Sequence, residues 1–327
     1  MLLAALAILI GFVALLWGAD RFVVGAAATA RNLGVSPLVI GLTIVGFGTS
    51  APEMLVSAMA AWAGSGQLSV GNALGSCVTN VALVLGASAL VAPLTVHSRI
   101  VRRELPLLLG VMVLSGWLLW DGDLSRMDGA LLLTTLLGYL GWMARSALAE
   151  RSARASLVDP LQAEFEAEIP EDMSTAQALG WLGVGLVTLV FGSRVLVWGA
   201  VDVARHLGVP ELVVGLSVVA LGTSLPEVAA SVVAARKGEH DIAVGNVVGS
   251  NLFNLAGVLA LPGLIAPGRI DPHVVARDVP VMFGVTGLLV FFSHGFGRDS
   301  VLRRWHGAVL VLVYAAYVTW LYLHGPG

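Results

Sequence analysis

Two glutamates stand inside long apolar segments of this chain, each at the end of the same motif, GTSxPE. They are Glu53 and Glu227. An ionisable side chain at the centre of a bilayer costs at least ~2.5 kcal/mol, so it persists where a partner or a function offsets that cost. If helices begin at Pro37 and Pro210, a rise of about 1.5 Å per residue puts both glutamates about 24 Å along their helices. That depth is close to the middle of a bilayer of about 40–45 Å.

A proline precedes each glutamate and changes the hydrogen bonding of the backbone around it. Pro52 and Pro226 have no N–H, and each displaces the carbonyl four residues earlier, which belongs to Gly48 or Gly222. In lipid a freed oxygen needs a partner, and a bound cation is one. The hydroxyls beside these carbonyls could join the same site or could satisfy the backbone around the prolines; they belong to Thr49, Ser50, Thr223 and Ser224.

A second polar set follows in two GNxxGS motifs. Each motif places a serine and an asparagine four residues apart, on one helix face. Oxygen-only sites suit hard cations, and calcium takes about 6–8 oxygens at about 2.3–2.6 Å. The same side chains could instead link helices by hydrogen bonds worth ~0.6–2 kcal/mol. The pairs are Ser76 with Asn80 and Ser250 with Asn254.

The composition indicates that lipid is the main solvent of this chain. Of its 327 residues 57% are hydrophobic and 12% are charged, whereas a soluble domain carries about 25% charged residues. A spanning helix needs about 20 apolar residues. The pattern predicts an all-α membrane protein with ten spans, near 2–32, 37–62, 69–91, 104–120, 127–147, 175–205, 210–235, 242–265, 279–294 and 304–323.

Basic loop residues set the expected orientation, because cytoplasmic loops carry an excess of Lys and Arg. With the N-terminus outside, most of the arginines and Lys237 fall on the cytoplasmic side. Ten spans then return the C-terminus to the outside, and the acidic stretch 148–174 becomes a cytoplasmic linker. We therefore expect a multi-pass protein of the cell membrane. The near-neutral net charge of −3 and the absence of a Lys/Arg-rich cluster exclude a nucleic-acid partner.

The chain also repeats itself at a constant offset of 174 residues, which relates Glu53 to Glu227 and both GNxxGS motifs. The predicted domains are a first repeat at 1–147, the linker at 148–174 and a second repeat at 175–327. Five spans in each repeat would invert one half relative to the other. Inverted repeats are typical of alternating-access transporters, whose sites lie near the midplane at broken helices. Asp20 and Arg194 occupy equivalent positions, so they are candidates for a pair across the two-fold axis or for snorkelling.

Other classes of protein fit these features less well. An intramembrane enzyme with Ser50 or Ser224 as nucleophile would need a base, but the histidines fall in loops or near span ends. A channel would favour a continuous polar path, commonly with ring symmetry between subunits. A duplicated scaffold without transport would not require that polar residues be the repeated ones.

At these motifs the sequence closely resembles the α-repeats of the sodium/calcium exchanger family, within the cation/calcium exchanger superfamily, in its prokaryotic type. The resemblance implies ten helices, with a core of helices 2, 3, 7 and 8 and a long pair, helices 1 and 6, that shifts against it. It implies that Glu53 and Glu227 are shared carboxylates and that the carbonyls of Thr49 and Thr223 bind calcium. The sodium sites would involve Gly46, Ala220, Ser50, Ser224, Ser76 and Ser250, with Asn80 and Asn254 completing the centre.

The expected activity is therefore exchange of Ca²⁺ for Na⁺ by a monomer without a prosthetic group. Some members of the resembling family carry Asp, linked to potassium co-transport, where this chain has Asn254. The amide therefore argues against potassium dependence. Proton/calcium exchange is the nearest alternative, because two glutamates bind protons as readily as sodium. A potassium-dependent sodium/calcium exchanger would use the same site.

Overall fold

The computed structural model describes residues 1–156, 173–207, 220–294 and 300–324. Long helices account for most of these residues, because apolar segments in lipid must satisfy every backbone group internally. The helix α7 is described in two pieces on either side of Ser224. The helices are α1 Leu2–Leu33, α2 Pro37–Trp62, α3 Gly66–Val91, α4 Leu105–Leu118, α5 Arg126–Ser156, α6 Thr175–His206, α7 Ala220–Thr223 and Leu225–Arg236, α8 His240–Ile265, α9 Val274–Phe292 and α10 Arg304–His324.

The prediction of a helical membrane protein is confirmed. Among the described residues, eight helices are long and apolar enough to cross a membrane, namely α1, α2, α3, α5, α6, α8, α9 and α10. The helix α4 has 14 residues, and the predicted seventh span, 210–235, begins outside the described residues. The number of ten spans therefore stays a prediction, as does the course of the linker between 157 and 172.

Several of these helices contain a π-helical turn, which is uncommon and frequent at functional sites. Two of these turns begin at the predicted site asparagines, at Asn80–Leu85 in α3 and Asn254–Val258 in α8. Another two precede or open the fourth and ninth helices, at Ile100–Glu104 and Val274–Asp278. The equivalent regions of the two repeats therefore share this local geometry. A further turn, Gly41–Val45, lies in α2.

The helices α1 and α6 lie against each other along their whole length, as the resemblance implies for a long pair. Glycines allow this approach, since a Cβ added at Gly11 would lie 2.5 Å from the backbone nitrogen of Leu196. Close approach of backbones through small residues is typical of packing between membrane helices. The two helices are antiparallel, because Gly11 contacts Leu196, Gly18 contacts Leu189 and Gly25 contacts Leu182.

The centre of the fold is formed by α2, α3, α7 and α8. The spanning part of α8 is 83% buried, whereas those of α5 and α10 are 22% buried. Within this centre Cys77 of α3 meets Asn251 of α8, its counterpart at the offset of 174. The Asn251 amide donates to the Cys77 carbonyl at 3.4 Å, and the Cys77 thiol approaches the Asn251 carbonyl at 3.8 Å. The two equivalent residues thus contact each other reciprocally.

Two short antiparallel strand pairs, absent from the sequence prediction, join loops at the helix ends. In the first pair β1, Leu94–Val96, runs against β4, Ser300–Leu302, with Leu94 opposite Leu302. In the second, β2, Asp123–Leu124, runs against β3, Gly268–Arg269. β1 and β3 begin at positions that are 174 residues apart and therefore equivalent. In each repeat, a short strand thus follows the third helix, α3 or α8.

The proposed pairing of Asp20 with Arg194 is not found among the described ion pairs. The Asp20 carboxylate instead lies 2.8 Å from the ammonium of Lys237, in the turn between α7 and α8. Both side chains are well exposed, and such a pair contributes about 0–1 kcal/mol. The contact joins α1 to the central helices.

Candidate functional site

The two prolines affect their helices differently. The helix α2 continues through Pro52. The helix α7 is interrupted at Ser224, whose φ of −89° and ψ of 2° are not helical. One carbonyl predicted to be freed has found a partner, because the Ser193 hydroxyl of α6 donates to the Gly222 oxygen at 2.7 Å. The sequence motif is therefore symmetric, but the local structure is not.

Glu53 and Glu227 lie together in the interior. Each is 1% exposed, and they are close enough to interact electrostatically. Thr223 lies beside the Glu53 carboxylate, whereas Thr49 and Ser50 lie beside that of Glu227. Each acid is thus flanked by hydroxyls of the opposite repeat.

Both carboxylates retain oxygens that form no hydrogen bond of normal geometry within the described part of the chain. This applies to both oxygens of Glu53 and to Oε2 of Glu227, and also to the Ser50 hydroxyl. A buried polar group left without a partner costs about 1–3 kcal/mol, and more if charged. These enclosed oxygens are therefore available to a cation.

Asn80 and Asn254 belong to the same centre. They are 1% and 0% exposed, and neither amide group forms a hydrogen bond within the described ranges. The π-helical turn that begins at Asn80 packs against α7, and the one that begins at Asn254 packs against α2. Each asparagine is thus carried to the glutamate-bearing helix of the opposite repeat.

The predicted serines are all buried, but they differ in their contacts. The Ser250 hydroxyl lies 3.4 Å from that of Thr49 and donates to the Gly46 carbonyl at 3.4 Å. Ser76 and Ser224 are buried in the same group of helices. Neither side chain takes part in the contacts described between Ser250, Thr49 and Gly46. Ala220 begins the first piece of α7, and the surroundings of its side chain lie outside the described structure.

Two asparagines that the sequence reasoning missed connect this centre. The Asn246 amide oxygen accepts a hydrogen bond from the Thr49 hydroxyl at 2.9 Å, and its nitrogen donates to the Ser231 hydroxyl at 2.9 Å. In the other repeat, the Asn72 amide donates to the Ser57 hydroxyl at 2.9 Å and to the Glu53 carbonyl at 3.2 Å. The sequence did contain a signal for them. Both asparagines are the Asn of a GNxxGS motif, and their partners Ser57 and Ser231 are 174 residues apart, as equivalent positions of the two repeats are.

A cavity of about 280 Å³ lies next to the acids. Its lining comes from α6 and from the proline-containing parts of α2 and α7, and includes Pro52, Ser193, Arg194, Thr223 and Pro226. A larger cavity of about 570 Å³ lies among the loops, lined in part by residues from 64 to 70 and from 266 to 270. The smaller cavity is the one that shares residues with the candidate site.

The oxygen donors of this centre could hold a hard cation. Within the described ranges, no group of three or more His, Cys, Asp or Glu side chains is placed to hold a metal ion. An ion bound here would rely on two carboxylates and on neutral hydroxyl, amide and carbonyl oxygens. Affinity for calcium falls as fewer ligands are charged and as the site becomes less rigid. A helical membrane protein with such a centre is, by class, a cation transporter.

Comparison with known proteins identifies the family. The profile of the sodium/calcium exchanger protein family matches residues 3–145 and 177–323. The inner membrane protein YrbG of Escherichia coli K12 is 42% identical over 98% of this chain and 98% of its own length. The sodium/calcium exchanger MaX1 of Methanosarcina acetivorans is 31% identical over 97% of this chain and 98% of its own.

The fold matches as well. The structure of the sodium-calcium exchanger NCX_Mj, soaked with Na⁺ and without Ca²⁺, superposes with a TM-score of 0.81 at 31% identity, over 97% of this chain and 98% of that one. The chain therefore belongs to the sodium/calcium exchanger family. It is a cation/calcium antiporter and not an enzyme, and the resemblance drawn from the motifs is confirmed.

Proposed function

We propose that this protein exchanges Ca²⁺ for Na⁺ at the centre that contains Glu53 and Glu227. The observation that carries the proposal is the pair of buried carboxylates, of which both oxygens of Glu53 and Oε2 of Glu227 form no hydrogen bond within the described residues. Two glutamates balance the charge of one Ca²⁺ or of two Na⁺. Either load removes the cost of buried charge, whereas an empty site bears it. Reorientation of the loaded site is then favoured, which gives exchange rather than leak.

The roles of the surrounding residues follow from their oxygens. The carbonyls of Thr49 and Thr223 would bind calcium together with the two acids. Asn80 and Asn254 would complete the centre through their amide oxygens. The sodium ions would use Gly46, Ala220, Ser50, Ser224, Ser76 and Ser250. Asn246 and Asn72 would hold Thr49 and the Glu53 backbone in place through the hydrogen bonds described above.

Alternating access would follow from two inverted repeats, at 1–147 and 175–327, with the stretch 148–174 as a cytoplasmic linker and both termini outside. The match of the family profile to 3–145 and 177–323 supports this division. The reciprocal contact of Cys77 and Asn251 supports a pseudo-two-fold axis through the centre. The α1–α6 pair would shift against α2, α3, α7 and α8 within a single chain.

Radiolabelled Ca²⁺ uptake into proteoliposomes tests this proposal. Vesicles are loaded with sodium, potassium or choline, or carry a pH gradient, and are diluted into sodium-free medium. We expect saturable uptake in sodium-loaded vesicles alone. Uptake driven by the pH gradient would replace sodium with protons as the counter-ion. Uptake that requires no ion on the opposite side would overturn exchange in favour of a uniporter or channel.

A further inference from the structure

One backbone oxygen next to the ion centre is held by a side chain of the long helix pair. The Ser193 hydroxyl of α6 donates to the Gly222 carbonyl at 2.7 Å, and Ser193 is 5% exposed. In an unbroken helix the N–H of residue 226 would donate to this carbonyl, but residue 226 is proline. Ser193 therefore replaces the missing helical hydrogen bond. Thr223, the next residue, flanks the Glu53 carboxylate.

The first repeat lacks this connection. The position equivalent to Ser193 is Ala19 of α1, whose methyl group donates no hydrogen bond. The carbonyl equivalent to Gly222 belongs to Gly48, where the atoms nearest to an added Cβ belong to the apolar Leu186 side chain, at 3.1 Å. The helix α2 also continues through its proline, whereas α7 is interrupted one residue after Thr223. The less regular of the two site helices is thus the one that α6 holds.

The packing around Gly222 reinforces this contact. A Cβ added at Gly222 would collide with the Val197 side chain of α6, one turn from Ser193. Gly222 therefore lies against α6, while the next residue, Thr223, lies beside the Glu53 carboxylate. If α6 shifts, either the Gly222 peptide moves with it or the hydrogen bond from Ser193 breaks.

We propose that Ser193 is a positioning residue for ion binding. It fixes the orientation of the Ala220–Thr223 backbone, and so sets the apparent affinity of the centre for Na⁺ and Ca²⁺. Since α6 belongs to the long pair, this bond also makes the geometry of the site depend on the position of that pair. The inference rests on the proposed exchange function and names a residue that the family motifs do not contain.

Three substitutions separate the hydroxyl from its packing. Ser193→Ala removes the hydroxyl, while Ser193→Val and Ser193→Thr have the same shape as each other and differ in whether a hydroxyl is present. Sodium-driven Ca²⁺ uptake gives the half-saturating concentrations of both ions and the maximal rate. Thermal unfolding in detergent at increasing Na⁺ or Ca²⁺ gives binding independently of transport.

We expect Ser193→Ala and Ser193→Val to raise the half-saturating concentrations about threefold to tenfold, the range of one hydrogen bond. The maximal rate per folded protein should change less, and the concentrations needed for thermal stabilisation should rise in parallel. Ser193→Thr should stay close to wild type. A purely structural role would lower the amount of folded protein and leave the half-saturating concentrations unchanged.

The possible failures can be told apart. Unchanged half-saturating concentrations in the Ala and Val variants, with normal exchange by wild type, would overturn the role of Ser193 and leave the proposed function intact. Equal losses in the Ala, Val and Thr variants would mean that the packing at this position matters and the hydroxyl does not. Wild-type protein without sodium-driven uptake would contradict the proposed function itself.

Discussion

At the scale of single residues, the buried acids of the described structure fall into two kinds. Glu104 and Asp278 each follow an arginine that they contact, Arg103 at 3.6 Å and Arg277 at 2.7 Å. Such pairing is the usual way to keep a carboxylate buried. Glu53 and Glu227 follow prolines and lie beside hydroxyls and each other. Under the proposed mechanism, their charge is balanced by the transported ion.

The first prediction concerns these two acids. Glu53→Gln and Glu227→Gln keep the shape of the side chain and remove one negative charge each. We expect each variant to insert in the membrane and to lose sodium-driven Ca²⁺ uptake. The exposed Asp121→Asn serves as the matched control and should transport normally. Near-normal uptake by either glutamine variant would rule out the shared-carboxylate site.

The second prediction concerns Asn246, which is fully buried and connects Thr49 with Ser231. Asn246→Ala leaves both hydroxyls without this partner, so we expect the free energy of unfolding to fall by about 1–3 kcal/mol. Thermal unfolding in detergent measures the change. The exposed Asn32, whose amide donates to the Met173 carbonyl, provides Asn32→Ala as a control with little expected effect. Equal stability of the two variants would refute the connecting role.

At the scale of helices, apolar length predicted eight spans that the structure also contains. Length and composition do not predict where a spanning helix departs from regular α-helical geometry. The π-helical turns at Asn80 and Asn254 and the interruption of α7 at Ser224 depend on packing between helices. The hydrogen bond from Ser193 to Gly222 joins a residue of the GTSxPE motif to a residue of α6 that belongs to no repeated motif. These features therefore could not be predicted from the residues alone.

The third prediction tests the packing of α1 against α6. A Cβ at Gly185 would collide with the backbone of Phe22, whereas one at Gly183 would meet nothing within 4 Å. Gly185→Ala should cost about 1–3 kcal/mol of stability, the usual cost of overpacking, and should lower uptake. Gly183→Ala lies in the same helix and should leave both unchanged. Similar melting temperatures for the two variants would contradict the close packing of this pair.

At the scale of the whole molecule, the repeat was the most informative feature of the sequence. The offset of 174 located both acids, both site asparagines and, in retrospect, Asn72 and Asn246. It could not show how the halves are joined. The reciprocal contact of Cys77 with Asn251, and the strand pairs that link distant loops, appear only when the chain is folded.

The fourth prediction tests the inverted arrangement. Ala63 and Lys237 are equivalent in the two repeats and are both exposed in turns. The single cysteine, Cys77, is buried, so Cys77→Ala provides a background without thiols. On that background, Ala63→Cys should react with a membrane-impermeant thiol reagent from outside the cell, and Lys237→Cys only after permeabilisation. Reaction of both from the same side would refute the inversion.

The most direct test of a shared site is competition between the two ions on the purified protein. Binding of radiolabelled Ca²⁺ is measured in detergent at increasing Na⁺, with potassium or choline replacing sodium at constant ionic strength. We expect sodium to displace calcium completely and with a dependence steeper than first order, since more than one Na⁺ replaces each Ca²⁺. Calcium binding should vanish in the Glu53→Gln, Glu227→Gln double variant. Calcium that stays bound at saturating sodium, or that binds the double variant as tightly as wild type, would contradict exchange at this centre.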